Sequence, residues 1–266
     1  THPTHDIKFA AYTDDTEMSV ANANVLLNND PPFTPFMFAD EYIKEFNRGG
    51  RRNGYARNFQ QFLNSIASGK EFLIKIQPYS RRNGAAMRSV PLGVLPYIEH
   101  VKEAAAIQAR VTHNTPEGIL SSQAVALMSH FTLHEELPMN ELGDYCVYHL
   151  HEYHDQEILE KIFTTPWPNR PVHKEPYGCE ALTTIHAVVH LLTRETSLMR
   201  ILEQIIQWGG DVDSVAAITW GIASARYNDD SQVPLFMARD LEGGNPDTGA
   251  AHLVMIGTQL MEICSV

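Results

Sequence analysis

Two short segments of this chain concentrate oxygen donors. One is Thr13-Asp14-Asp15-Thr16; the other is Gly209-Gly210-Asp211-Val212-Asp213-Ser214. Each offers two carboxylates and at least one hydroxyl, the donor set that binds hard divalent cations such as Mg²⁺. Brought together by folding, two such segments suit a two-metal site, where paired ions polarise a substrate oxygen and lower the pKa of a bridging water. The same residues also suit a plainer duty. Asp, Ser and Thr are favoured N-caps, and acids are favoured in the first turn of a helix. For either segment alone both readings stand. Gly209-Gly210 favours a ligand at the second, because glycine lets the backbone approach one closely. An EF-hand is excluded: the glycine required at its sixth position is Ala216 when counted from Asp211, and no loop-closing acid follows.

A third segment, Ser80-Arg81-Arg82-Asn83-Gly84, combines a tight-turn dipeptide with two guanidinium groups. Arginine suits phosphate, and the alternative is a solvated turn. Arg51-Arg52 reads as a flexible surface turn. The histidine-rich stretch His149–His154 lacks the i, i+4 pair of a zinc protease, since His151 and His154 stand one residue too close. His186 and His190 have that spacing but no third ligand nearby in sequence. Cys179 carries no motif of a thiol nucleophile and reads as a small buried residue.

The elements that must position these groups are helical. Beyond Asp15, Met18, Ala21 and Val25 recur on one helical face. Residues 98–110 are rich in strong helix formers. Thr115-Pro116-Glu117 reads as an N-cap, a proline at N1 and a first-turn acid, opening a helix to about His134. Further helices are expected at 179–192, 196–207, 214–226 and 250–263. The weak alternation of Glu71–Ile76 predicts one short strand. No punctuated stretch is long enough to serve as a domain linker, so one all-α domain over 1–266 is expected, with functional loops at helix ends.

Composition narrows the class. The 266 residues are 44% hydrophobic and 20% charged, ordinary for a globular protein, with a formal net charge of −12. That acidity argues against general nucleic-acid binding, which needs a basic face. Three widely separated cysteines, Cys146, Cys179 and Cys264, favour a reducing, cytoplasmic setting with free thiols. No run approaches the length of a membrane span. The sequence opens at Thr1 rather than Met, and native sequence is expected to precede it.

Tyr12–Met18 resembles the Thr-Asp-Asp-Thr-x-Met signature of the ADP-ribosylglycohydrolases. Gly209–Ala216 resembles that family's late Gly-Gly-Asp-Thr-Asp-Ser/Thr motif, with Val212 in place of the usual Thr. Asn83–Arg88 followed by Pro91-Leu92-Gly93 resembles its middle motif, and Thr112-His113 a shorter fourth. The four occur in family order between about residues 12 and 225.

That resemblance implies a compact all-α fold with a dinuclear Mg²⁺ centre, sometimes occupied by Mn²⁺. Thr13, Asp14, Asp15, Asp211, Asp213 and Ser214 would be its ligands. Ser80, Arg81, Arg82, Asn83 and Gly84 would cradle the ADP-ribose phosphates, Gly209 and Gly210 would border the ligand, and His113 would contact its ribose-phosphate part. The implied reaction hydrolyses the glycosidic bond between ADP-ribose and a modified protein or other conjugate, through an oxocarbenium-like transition state. Asp14 or Asp15 would orient or deprotonate the water. The family's N-terminal Gly-Asp-x-x-Gly segment, with its acidic residue near the metals, has no counterpart before Tyr12. A non-catalytic ADP-ribose- or partner-binding protein of the same fold is therefore the rival reading, and a dinuclear nucleotide phosphohydrolase a third.

Overall fold

Local capping chemistry sets where many of the helices begin. In a computed structural model that describes residues 7–227 and 233–265, the chain forms α1 (Asp14–Asn28), α2 (Pro35–Arg48), α3 (Arg57–Asn64) and α4 (Gly69–Lys75), then α5 (Ile98–Thr112) and α6 (Pro116–His134). There follow α7 (Leu142–Leu150), α8 (Gln156–Phe163), α9 (Glu180–Leu192), α10 (Leu198–Trp208), α11 (Val212–Ala223), α12 (Phe236–Arg239) and α13 (Ala250–Cys264). Thr34, Ser68, Thr115, Asp155 and Ser197 each accept a first-turn N–H with their side chains. Proline follows Thr34 and Thr115 at the first helical position, where its missing N–H costs nothing.

Helix α6 is the centre of the molecule. Its residues from Leu120 to Thr132 are buried without a break, and it packs against α5, α7, α9 and α11 and against the short helical turn Val90–Val94. Helices α1, α2 and α4 form one flank and α9, α10 and α11 the other. A single contiguous apolar cluster runs from Met18 to Leu260. Met87, Leu92 and Val94 belong to it. No helix among the described residues is long and apolar enough to cross a membrane.

The alternation at 71–76 does not make a strand. Ser68 caps Glu71 N–H, Phe72 is buried, and Gly69 packs so tightly on the Asp40 backbone that a Cβ would lie 2.6 Å from it. Cap and packing outweigh the weak period-two pattern, and the segment becomes α4. Among the described residues, extended pairing is limited to two isolated bridges, Tyr79 with His113 and Val172 with Gly210. Both fasten loops that matter below.

The core also contains a polar knot. Arg88 is 1% exposed and lies over the Tyr42 ring at 4.5 Å. It donates to Gln108 Oε1 at 2.5 Å, to Gln108 O at 3.1 Å and to Thr112 Oγ1 at 2.7 Å. Tyr42 in turn donates to Asn22, whose amide holds Arg88 O at 2.7 Å. A buried guanidinium is tolerable only when so satisfied.

Candidate active site at two helix N-termini

Helices α1 and α11 meet with their N-termini together, and each carries one acidic segment into its first turn. Capping is not what these side chains do. Thr13 is the N-cap of α1 and Asp211 the N-cap of α11, yet neither side chain accepts a bond from its own helix. Instead the segments turn toward each other. Ser214 hydrogen-bonds to the Asp15 carboxylate from across the gap, and Thr13 Oγ1 donates to Asp15 Oδ2 at 3.3 Å.

The electrostatics are those of crowded carboxylates. Burial, then the neighbouring Asp15 charge, holds the Asp14 carboxyl well above the usual range, with Asp213 and Asp211 adding to the effect. Asp15 is raised by burial and then by Asp213. Asp211 is pushed up to about 7 by burial and by Asp213, against an amide bond from Asn83 that pulls it down. Like charges held together out of water favour protons or a cation. Asp15 Oδ1 is sealed from solvent and has no hydrogen-bond partner. The donors are oxygens only, which fits Mg²⁺ or Mn²⁺. Among the described residues, no three acidic, histidine or cysteine side chains are grouped so that they could by themselves hold a metal ion; the Thr13 and Ser214 hydroxyls stand beside the Asp15 carboxylate as further oxygen donors.

The 80–84 loop is stapled on both sides. Asn114 N–H donates to Pro78 O at 2.6 Å, Thr115 Oγ1 to Ser80 O at 3.1 Å, and Ala181 N–H to Arg81 O at 3.3 Å. Asn83 is buried, and its amide bridges Thr184 Oγ1 at 3.1 Å and Asp211 Oδ2 at 2.5 Å. This side chain joins the loop to the acidic cluster. Arg82 and Arg81 are exposed, and Arg81 is paired with Glu117 at 2.7 Å.

His113 ends α5 and is buried. Gly84 faces it so closely that a Cβ would sit 2.9 Å from His113 Cε1. Burial, with Arg88 and Arg82 nearby, holds the imidazole neutral, its pKa lowered to about 3. Gly210 is needed for two reasons: its φ is +86°, and a Cβ would overlap the Val172 backbone. Val172 N–H donates to Gly209 O at 3.0 Å, and Val172 O accepts from Asp211 N–H at 2.9 Å. The close approach at Gly210 is thus to the chain itself, while Gly209 has open space where a Cβ would be.

Arg52 is not a flexible surface residue. Its guanidinium donates to Glu17 Oε1 at 2.9 Å, to Tyr12 O at 3.0 Å and to Glu242 Oε1 at 2.7 Å, and lies over the Tyr12 ring at 4.0 Å. Glu242 also accepts from Tyr12 N–H at 2.8 Å and donates its own N–H to Ala10 O at 2.9 Å. The stretch leading into Thr13-Asp14-Asp15 is therefore held by a clasp that local sequence does not announce. Glu17, fully buried, is raised to about 7 by that burial, against Tyr55 and Arg52, which favour its anion. Three of the other histidines are engaged in structural bonds: His186 bonds Tyr177 OH and Thr165 O, His190 accepts from Trp167 N–H, and His154 meets Gln123.

A model of the ADP-ribosylglycohydrolase family matches residues 2–262. The chain is 26% identical over 275 residues to an ADP-ribosylhydrolase ARH3 of Xenopus tropicalis, covering 87% of this chain and 77% of the relative. It is also 26% identical over 232 residues to an uncharacterized protein of Archaeoglobus fulgidus, covering 84% and 74%. Among solved structures, an ADP-ribosylglycohydrolase-related protein complex superposes with a TM-score of 0.70 at 20% identity, covering 95% of this chain and 82% of that one.

Proposed function

The chain belongs to the ADP-ribosylglycohydrolase family, and from that premise we propose that it is a Mg²⁺- or Mn²⁺-dependent hydrolase that frees ADP-ribose from a modified substrate. The observation that carries this reading is the junction of Asn83 with Asp211: it joins a loop suited to phosphates to a carboxylate cluster suited to divalent cations. Thr13, Asp14, Asp15, Asp211, Asp213 and Ser214 would hold the metals. Bound there, the ions would supply Lewis acidity and a fixed seat for the ribose hydroxyls.

The chain's own groups would do the rest. Ser80–Gly84 and His113 would seat the pyrophosphate, with backbone N–H groups and the imidazole as donors. Asp14 or Asp15 would take a proton from the attacking water as its oxygen bonds to the anomeric carbon. The bond from that carbon to the acceptor breaks with its electrons on the acceptor, which takes up the proton that the carboxyl received and so returns that group to the carboxylate form. Positive charge developing on the ribose is stabilised by the surrounding carboxylates.

The test is release of ADP-ribose from modified proteins and peptides of several linkage types, with Mg²⁺, with Mn²⁺ and with chelator. Release with either metal and none under chelation is the expected result. Turnover that persists under chelation would defeat metal dependence, and tight ADP-ribose binding without any turnover would favour the non-catalytic reading.

A further inference from the structure

Resting on that reading, we propose that Arg88 and Thr112 are positioning residues that fix the tautomer of His113, so that its Nε2 carries the proton and donates to a phosphate oxygen of ADP-ribose. Three side chains form a line: Arg88 Nη2 donates to Thr112 Oγ1 at 2.7 Å, and Thr112 Oγ1 lies 2.7 Å from His113 Nδ1.

The direction of the second bond follows from donor counting. A guanidinium has only hydrogens to give, so Thr112 must accept from Arg88. The threonine hydroxyl has one hydrogen of its own. Among the described residues its only other partner is His113 Nδ1. If Nδ1 also donated, that hydrogen would be left without an acceptor in a site where Thr112 is 4% exposed, at the cost of an unmade buried bond. The hydroxyl therefore donates to Nδ1, and the ring proton resides on Nε2. The neutral state this requires is the one that burial and the adjacent Arg88 charge favour.

The ring edge so protonated faces the loop. A Cβ built on Gly84 would lie 3.1 Å from Nε2 and 2.9 Å from Cε1, so Nε2–H is presented beside the Asn83-Gly84 turn. Arg88 itself stays in the core, held by Gln108 and stacked on Tyr42. It acts through Thr112 and not on the ligand. Burying a cation one hydroxyl away from a ligand-facing histidine orients that histidine without placing a second charge in the cleft.

The test reads the ring directly. In ¹⁵N-labelled, ligand-free protein near neutral pH, two-bond ¹H–¹⁵N correlations of His113 should show a pyridine-type Nδ1 and a pyrrole-type Nε2. Thr112→Val should convert that pattern to a mixture and weaken ADP-ribose binding by calorimetry on the order of tenfold, the loss expected for one hydrogen bond to a charged group. Thr112→Ser, which keeps the hydroxyl, should restore both. A wild-type ring protonated at Nδ1, or a Thr112→Val ring with the wild-type pattern, would overturn the relay whatever the enzyme's substrate. Failure of the wild-type chain to bind ADP-ribose, with the tautomer as expected, would instead strike the proposed function and the ligand half of this inference. Should Thr112→Val not fold, the wild-type spectrum and Thr112→Ser still decide.

Discussion

Asn83 and Asp211 stand 128 positions apart in the chain and touch at 2.5 Å. One side chain thus ties the 80–84 loop to the acidic segment that opens α11, and its amide is spent on that carboxylate and on Thr184. Replacing it should therefore disturb both halves of the site. Asn83→Leu is expected to weaken ADP-ribose binding at least tenfold by calorimetry and to cost about 1–3 kcal/mol of stability, since it forces an apolar side chain into a polar packed slot. Unchanged affinity would remove Asn83 from the ligand site.

Metal should stabilise the folded chain through the converging carboxylates. At a hundredfold excess over its dissociation constant, a ligand adds about 2.7 kcal/mol, or roughly 5–10 °C for a chain of this size. Wild-type protein should show that rise with Mn²⁺. The double substitution Asp211→Ala with Asp213→Ala should show none, and it should also abolish hydrolysis. A full thermal shift in the double variant would place the metal elsewhere.

Asp211 gives a pH test of the crowding among these carboxylates. Its carboxyl is pushed up to about 7 in the folded chain, against roughly 3.8–3.9 when unfolded. Between those values the folded state holds the extra proton, so this group makes stability fall as pH rises from about 4 to 7 and leaves the full penalty in place above that. Asparagine does not titrate. With metal chelated, Asp211→Asn should thus be the more stable protein at pH 8, by an amount on the order of a few kcal/mol, and the gap should close toward pH 5. Parallel stability curves for the two proteins from pH 5 to pH 8 would contradict the crowding.

Gly84→Ala offers a geometric probe. The added methyl meets His113 at 2.9 Å, so the ring must move. Loss of ADP-ribose affinity should exceed loss of fold stability, and the His113 resonances should shift more than those of His154 or His190. An affinity equal to wild type would show that the ring's position is immaterial to binding.

Arg52→Ala should rank among the costly single changes. It leaves Glu17, 1% exposed in its side chain, and Glu242, 14% exposed, without their cation. Removing one member of a buried pair costs about 3–5 kcal/mol. Adding Glu17→Gln should recover part of that loss at alkaline pH, where Glu17, already raised to about 7 beside Arg52, would otherwise be left as an unpaired charge. Chemical denaturation of the single and double variants decides; additive losses would show that the two side chains are energetically independent.

Much of the helical frame is legible in the sequence because it is written locally. Thr115-Pro116-Glu117 opens α6 where its chemistry says, and the apolar period of 214–226 becomes α11. Glu71–Ile76 misleads because its alternation is short, while the deciding residue, Ser68, lies outside the run. Helix α2 carries the same local signal as α6, Thr34-Pro35, whereas α3 has no side-chain cap and its aromatic residues find partners only in three dimensions, as with Phe62 and Phe72 at 4.9 Å. The acidic clusters announce themselves by donor type, and the structure brings them together. Arg52 does not announce itself, because Glu17 and Glu242 lie 35 and 190 positions away. Thr184 is silent for the same reason: nothing around it says that it meets Asn83.

The clasp on Tyr12 also sets when the site can exist. Its carboxylate comes from Glu242, and half of the acidic cluster comes from Asp211 and Asp213. During synthesis the chain delivers Asp14 and Asp15 first; Asp211 and Asp213 follow only after α10, and Glu242 only after α12. A nascent or prematurely terminated chain ending before Asp211 carries Asp14, Asp15, the 80–84 loop and His113 but neither counterpart from α11. A chain cut short of Asp211 thus keeps one acidic segment with nothing for it to meet, and the cluster of carboxylates cannot form.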